Sequence, residues 1–174
     1  MEAELVIRDA NEADAEEVQA IYAHHVLNGT ASYDIEPPSV DHIRDKIRQI
    51  REAGWPFVIG ELEGEVAGYA YATQFRDREA YRFTAEDSIY VHPQMTGRGV
   101  GKRLLKSLLE RSAESDFRTI VAVIGGAEPA SVAVHSALGF EEVGRLKAVG
   151  WKKERWLDSV YMQRTIGSEG TGVG

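Results

Sequence analysis

The chain has no cysteine and no apolar run near the roughly 20 residues a membrane-spanning helix needs. Without thiols, disulfide stapling, thiolate catalysis and sulfur-ligated zinc are excluded. The histidines, His24, His25, His42, His92 and His135, show no metal-ligand spacing with carboxylates, so no metal is expected. Positive charge is also scarce: 20 Lys and Arg stand against 28 Asp and Glu, a net −8. That balance argues against a nucleic-acid binder or a partner of anionic membranes. The opening "MEAELVIRDA" is acidic and lacks the basic and apolar regions of a secretory signal. A soluble cytoplasmic protein is the expectation.

What is present is ample for a core. At 43% hydrophobic, 174 residues suit one domain. That domain is expected over 1–166, with "GSEGTGVG" (167–174) as a loose tail that carries no packing residues. "LVIRDA" reads as a first strand. Asp14 and Glu17 have capping-box spacing ahead of the helical face Val18, Ile21, Tyr22, Val26. Ser39 caps a second helix with Ile43, Ile47 and Ile50 inward. "PFVIGEL" and "EVAGYAYATQF" make a hairpin around "EG", and "RDREAYRFTAE" reads as a loop. "DSIYVHP" is a strand, a helix follows from about Val100 to Ser115, and "RTIVAVIGG" is a buried strand. "EPASVAVHSALGF" is a helix stopped by Gly139, and two strands close the chain. Strands and helices interleave with hairpins, which predicts an α/β fold with a mixed sheet and helices on both faces.

Between the sixth of these elements and the helix after it lie Gly97, Gly99 and Gly101, alternating with Arg98 and Val100. Glycines there let main-chain N–H groups approach an anion, and the helix N-terminus adds further donors. Arg98, Lys102 and Arg103 add charge, so a phosphate or pyrophosphate is the expected ligand; a tight turn with incidental glycines is the alternative. Two common phosphate loops fail. A P-loop needs Gly where Thr96 stands and Ser or Thr where Arg103 stands. A dinucleotide fingerprint needs Gly where Lys102 stands, which speaks against a nucleotide-binding oxidoreductase.

The pattern Gln94-x-x-Gly97-x-Gly99, between strand and helix, resembles the acetyl-CoA loop of the GNAT superfamily of N-acetyltransferases. "TAEDSIYVHP", "VAVIGGAEPASVAVHSALGF" and "GWKKERWLDSVYMQ" occur in the order and spacing of its phosphinothricin and methionine sulfoximine acetyltransferase branch. The resemblance implies a single GNAT-type domain with a mostly antiparallel twisted sheet. It implies acetyl-CoA as co-substrate, with no metal, and a small amino-acid-like amine as acceptor. Main-chain groups from Thr96, Gly97, Arg98, Gly99, Val100, Gly101 and Lys102 then wrap the pyrophosphate. The main chain of Ile89, Tyr90 and Val91 pairs with the pantetheine arm, and the Val91 N–H polarises the thioester carbonyl. A homodimer is also implied.

By the same resemblance Glu86 is the general base and His135 protonates the leaving thiolate. The alternatives are a solvated carboxylate at a strand start, for which Asp87 also qualifies, and a hydrogen-bonded core histidine. Glu128 stands where the family commonly has an Asn that contacts pantetheine. Arg76 and Arg78, in "FRDREAYRF", match the oxygens of an anionic acceptor in bidentate fashion, with solvated loop pairing as the alternative. Thr30 and Tyr33, in "NGTASYD", fall where the family's substrate loop lies. Lys152 and Lys153 read either as a solvated hairpin tip or as part of the pocket and dimer contact. A non-catalytic acyl-CoA sensor on the same fold is the rival function.

Overall fold

The computed structural model describes residues 4–167. The expected tail lies outside them apart from Gly167. One seven-stranded sheet runs through the described residues: β1 (Leu5–Asp9), β2 (Phe57–Leu62), β3 (Glu65–Gln74), β4 (Thr84–Val91), β5 (Thr119–Gly125), β6 (Glu141–Lys152) and β7 (Arg155–Thr165). Its spatial order is β1-β2-β3-β4-β5-β7-β6, and every neighbouring pair is antiparallel except β4 with β5. Helices α1 (Ala15–Asn28) and α2 (Val40–Glu52) cover one face; α3 (Val100–Glu114) and α4 (Pro129–Ala137) cover the other. None of these helices is long and apolar enough to cross a membrane.

Burial on both faces explains the near-continuous apolar runs of the central strands. On β2, Val58 packs beneath α3, while Phe57 and Ile59 pack against Val18, Ile21 and Ile47 of the opposite layer. Ser39 caps α2 as expected, its hydroxyl accepting from the His42 N–H at 3.1 Å. The first helix begins differently. Its capping box is built by Asn11 and Asp14 around a 3-10 turn, Glu12–Asp14, and not by Asp14 and Glu17. The reason is Arg8, whose guanidinium grips both oxygens of the buried Asp14 at 2.9 and 2.7 Å. A carboxylate held that way cannot turn to cap the next helical turn.

β4 also starts earlier than the polar run "RFTAE" suggests. Thr84 and Ala85 pair with Thr119 and Ile120 on β5, and Ala85 with Gln74 on β3. Glu86 therefore sits inside the strand. The β4–β5 pairing is short: it ends at Glu86↔Val121, while β4 runs on to Val91 and β5 to Gly125. Beyond that point the two strands part. The phase of the exposed edge is readable from the ladder. His92 N–H donates to Ala67 of β3, and the Thr84 carbonyl accepts from Phe75, so even-numbered residues turn their main chain to β3. The main chain of Ile89 and Val91 faces the gap.

The segment 30–34 crosses the ends of β5 and β7. Tyr33 Oη donates to the Asp158 carbonyl at 2.9 Å and accepts from the Gly126 N–H at 3.2 Å. Its ring lies over Gly125, where a Cβ would stand 2.6 Å from the Ala31 carbonyl oxygen and 2.9 Å from the ring itself. We therefore expect Gly125→Ala to destabilise the protein by about 1–3 kcal/mol, the usual cost of overpacking. Gly144→Ala, where a Cβ meets nothing within 4 Å, serves as the control and should be near neutral. Urea unfolding midpoints compare the two.

Candidate active site

A cavity of about 320 Å³ fills the wedge where β4 and β5 separate. Strand alternation sends successive β4 side chains to opposite faces. Thr84, Glu86, Ser88 and Tyr90 form one row; Ala85, Asp87, Ile89 and Val91 form the other. The second row packs with the α3 core and the first row turns toward α1 and α2. Because the sheet is split here, both Glu86 and Asp87 border the same cavity.

Glu86 is half-buried, and Arg76 Nη1 lies 3.6 Å from its Oε2. Burial pushes its carboxyl up from the ordinary glutamate value. Arg76 draws it partly back, Asp87 adds to the rise, and Lys46 opposes it. A base of raised affinity for protons, facing a cavity, suits proton abstraction near neutral pH. His135 lies across the gap on α4, with 4% of its side chain exposed. Its Nε2 is 2.9 Å from Asp87 Oδ2 and its Nδ1 is 2.7 Å from the Ser131 carbonyl oxygen. Both acceptors require a proton on the ring nitrogen they face, so the geometry describes an imidazolium. Burial alone lowers the affinity of His135 for its proton, but the Asp87 charge and hydrogen bond and the Ser131 carbonyl outweigh it, and the net shift is upward. Asp87 is thus no solvated carboxylate. The sequence offered it as a solvated carboxylate, although a contrary signal existed: Asp87 stands in the apolar row Ala85-x-Asp87-x-Ile89-x-Val91, where a carboxylate needs a partner.

Toward α1 and α2 the wall is aromatic. Tyr22 meets Tyr90 edge-on at 5.1 Å, and Tyr71 stacks on Phe57 at 5.0 Å. Tyr22 Oη hydrogen-bonds to Asp34 and lies 2.8 Å from Ser32 Oγ. Lys46 donates to Tyr71 Oη at 2.7 Å. Tyr22, Asp34 and Tyr71 border the cavity and were not singled out from sequence, since their spacing marks them only as helix face, loop and strand.

The glycine loop lies at the open end of the split. Gly97 and Gly99 take φ +75° and +74°, a conformation side chains resist. Gly99 caps α3 without a side chain, which leaves the first-turn N–H groups of that helix facing outward. Thr96, Arg98 and Lys102 are exposed, Val100 is buried, and Gly101 belongs to the first turn of α3. Among the described residues Arg98 and Lys102 make no hydrogen bond or ion pair, whereas Arg103 turns away and donates to the Leu5 carbonyl at 2.8 Å. These donors and cations, together with the unpaired main chain of Ile89 and Val91, fit a long ligand with an anionic end.

Other expected site residues stand differently. The Tyr90 main chain is committed to β3, so only its side chain reaches the cavity. The Glu128 carboxylate caps α4, accepting from the Ser131 N–H at 2.8 Å, because the N–H groups of a first helical turn have no acceptor within the helix. Thr30 packs on Gly126 and does not border the cavity. Tyr33 does, with its hydroxyl tied to β7. Arg76 reaches Glu86 from outside, and Arg78 is exposed away from the cavity. Lys152 is buried and donates to the Ser32 carbonyl at 2.7 Å, so it is no solvated tip residue. His25 Nε2 donates to the Val91 carbonyl at 2.8 Å, occupying one group of the open edge. Among the described residues no three His, Asp or Glu side chains gather as a metal site.

Comparison with known proteins places this geometry. Residues 7–161 match the acetyltransferase (GNAT) domain. The phosphinothricin N-acetyltransferase of Alcaligenes faecalis is 42% identical over 166 residues, 95% of this chain and 84% of that protein. The L-methionine sulfoximine/L-methionine sulfone acetyltransferase of Salmonella typhimurium is 33% identical, over 91% of this chain and 93% of its own. The crystal structure of a GNAT superfamily phosphinothricin acetyltransferase from Sinorhizobium meliloti in complex with AcCoA superposes with a TM-score of 0.92. It is 47% identical, covering 98% of this chain and 95% of that one.

The raised Glu86 carboxyl carries a stability consequence. An acid whose folded affinity for protons is raised supports the fold while protonated, below its ordinary value; that support is lost as pH rises through the raised value. At pH 7 the folded state therefore holds a charge that its surroundings resist. Glu86→Gln is expected to raise the melting temperature at pH 7, with the gain shrinking toward pH 4. The same variant should lose about 10²–10⁴-fold in turnover, the usual worth of a general base. Melting curves at the two pH values and a thiol-release assay check both halves.

Proposed function

The chain belongs to the acetyltransferase (GNAT) family, and from that premise we propose that it transfers the acetyl group of acetyl-CoA to the α-amine of a small amino-acid analogue. Phosphinothricin, methionine sulfoximine and methionine sulfone are the acceptors of this reading. The observation that supports it is the split sheet: a carboxylate, Glu86, on the α1/α2 side and an imidazole, His135, on the α4 side border one cavity. The relatives above are acetyltransferases over nine-tenths of the chain, which favours catalysis over a non-catalytic sensor.

In this reading the outward N–H groups from Gly97 to Lys102, with the Arg98 and Lys102 side chains, hold the pyrophosphate. Ile89 and Val91 extend their free main-chain edge along the pantetheine arm, as a neighbouring strand would. The Val91 N–H polarises the thioester carbonyl; a fixed backbone donor of this kind costs no reorganisation as charge develops. Glu86 takes a proton from the acceptor's ammonium. The amine nitrogen attacks the carbonyl carbon, the carbon–sulfur bond breaks, and the departing sulfur is protonated from the His135 side. No covalent enzyme intermediate is needed, in keeping with a chain that has no cysteine.

Arg76, beside Glu86, supplies a planar fork for the acceptor's carboxylate or phosphinate, and Tyr33 forms a wall. Arg78, farther out, steers the anion. The second part of the proposal is a homodimer. Val143, Leu146, Val149, Trp151 and Trp156 are exposed on the outer hairpin β6–β7, and a second copy would cover this apolar surface. We place the enzyme in the cytoplasm, where acetyl-CoA is supplied.

Steady-state kinetics over an acceptor panel test the reading. The three analogues should be acetylated in preference to spermidine or a lysine peptide, and Arg76→Ala should raise KM for them while leaving acetyl-CoA affinity intact. A better rate with the polyamine would overturn the assignment. For the dimer, Trp156→Glu should give a folded monomer in sedimentation, against a dimer for the parent chain.

A further inference from the structure

Asp87 sits in the crotch of the split, one residue past the last β4–β5 pair. Its side chain is 4% exposed and bonds across the gap to an equally buried imidazole on α4. Three things hold that imidazole. Asp87 takes the Nε2 proton from β4, the Ser131 carbonyl takes the Nδ1 proton from the same helix, and Phe140 closes on the ring edge at 4.9 Å. The other strands around the cavity offer Val123, Ile124, Gly125 and Ser159, none of them charged. Glu86 points to the opposite face. Asp87 is therefore the one charged group that acts on His135 among the described residues.

We propose that Asp87 is a positioning residue for the acetyl transfer, holding His135 as an imidazolium with its Nε2 proton presented at the split. This rests on the transferase reading above. A neutral histidine in this pocket would carry one ring proton and leave an acceptor facing the bare nitrogen. With the carboxylate in place, Nε2–H is loaded before the thioester arrives. When the carbon–sulfur bond breaks, the thiolate draws the Nε2 proton out of its hydrogen bond with Asp87, and the imidazole is left neutral beside the carboxylate. The acceptor's ammonium loses two protons in becoming an amide; one passes through Glu86 to solvent and the other goes to solvent directly. Solvent returns a proton to the imidazole, so one proton is released per turnover and no other reactant is needed. The upward shift of His135 agrees with this geometry.

The bland alternative is a buried ion pair that only ties α4 to β4. Asp87→Asn separates the two, since the amide oxygen can still accept from Nε2–H while the charge is gone. We expect kcat to fall roughly tenfold or more, acetyl-CoA affinity to stay unchanged, and the alkaline limb of the kcat profile to move to lower pH. In a His135→Asn background the same change should cost no further activity. A fall in melting temperature with an unmoved pH profile would overturn the proposal. Should the variant not fold, nitrogen NMR of the histidine-labelled parent protein decides: both His135 ring nitrogens should carry protons at pH 7, and a neutral tautomer there rejects the assignment. That spectrum needs no substrate, so its failure is distinct from the failure of any acceptor to be acetylated.

Discussion

β4 and β5 stay paired for three residues only, and the rest of the site is arranged around what happens after they part. A buried peptide group without a partner is costly, so a split sheet is a standing demand for something to bind along its edges. Two main-chain positions, Ile89 and Val91, face the gap, and His25 satisfies one of their carbonyls. The remaining donors are what a strand-like ligand would pair with. The same split lets side chains from opposite faces of one strand reach a common cavity, which an intact sheet forbids.

Glu86 and Asp87 are sequence neighbours, yet the pleat sends them to different surroundings. Glu86 is partly buried, which favours the neutral acid, and Arg76 only partly offsets that. Asp87 is buried and meets the His135 imidazole at 2.9 Å. Two adjacent carboxylates thereby differ because their neighbours differ.

The wall around the cavity is built from small residues as much as from large ones. Gly125 and Gly150 leave room on either side of Tyr33, whose hydroxyl ties the 30–34 segment to β7. Lys152 reinforces the same segment from β6. This wall of the cavity is therefore held by the C-terminal hairpin. That hairpin also carries the exposed tryptophans, so cover over Trp151 and Trp156 would bear indirectly on the acceptor pocket.

Much of this was legible in the residues alone. Helical periodicity with a Ser39 cap, the apolar runs of β2 and β5, and the glycines before α3 are local features, and local features survive without knowledge of the fold. The acetyltransferase resemblance rested on such local blocks. What the sequence could not determine were pairings between distant segments. Asn11 replaced Asp14 as the first cap because Arg8 claimed the aspartate. Arg103 left the glycine loop for the Leu5 carbonyl, and Glu128 turned to its own helix. Asp87 lay in an apolar row that announced a partner, but only the crossover through α3 and the packing of α4 bring His135, 48 residues later, within 2.9 Å. Composition and spacing determine which elements form; which charged groups meet depends on how those elements pack, because a hydrogen bond is decided over ångströms and a helix face leaves several of them open.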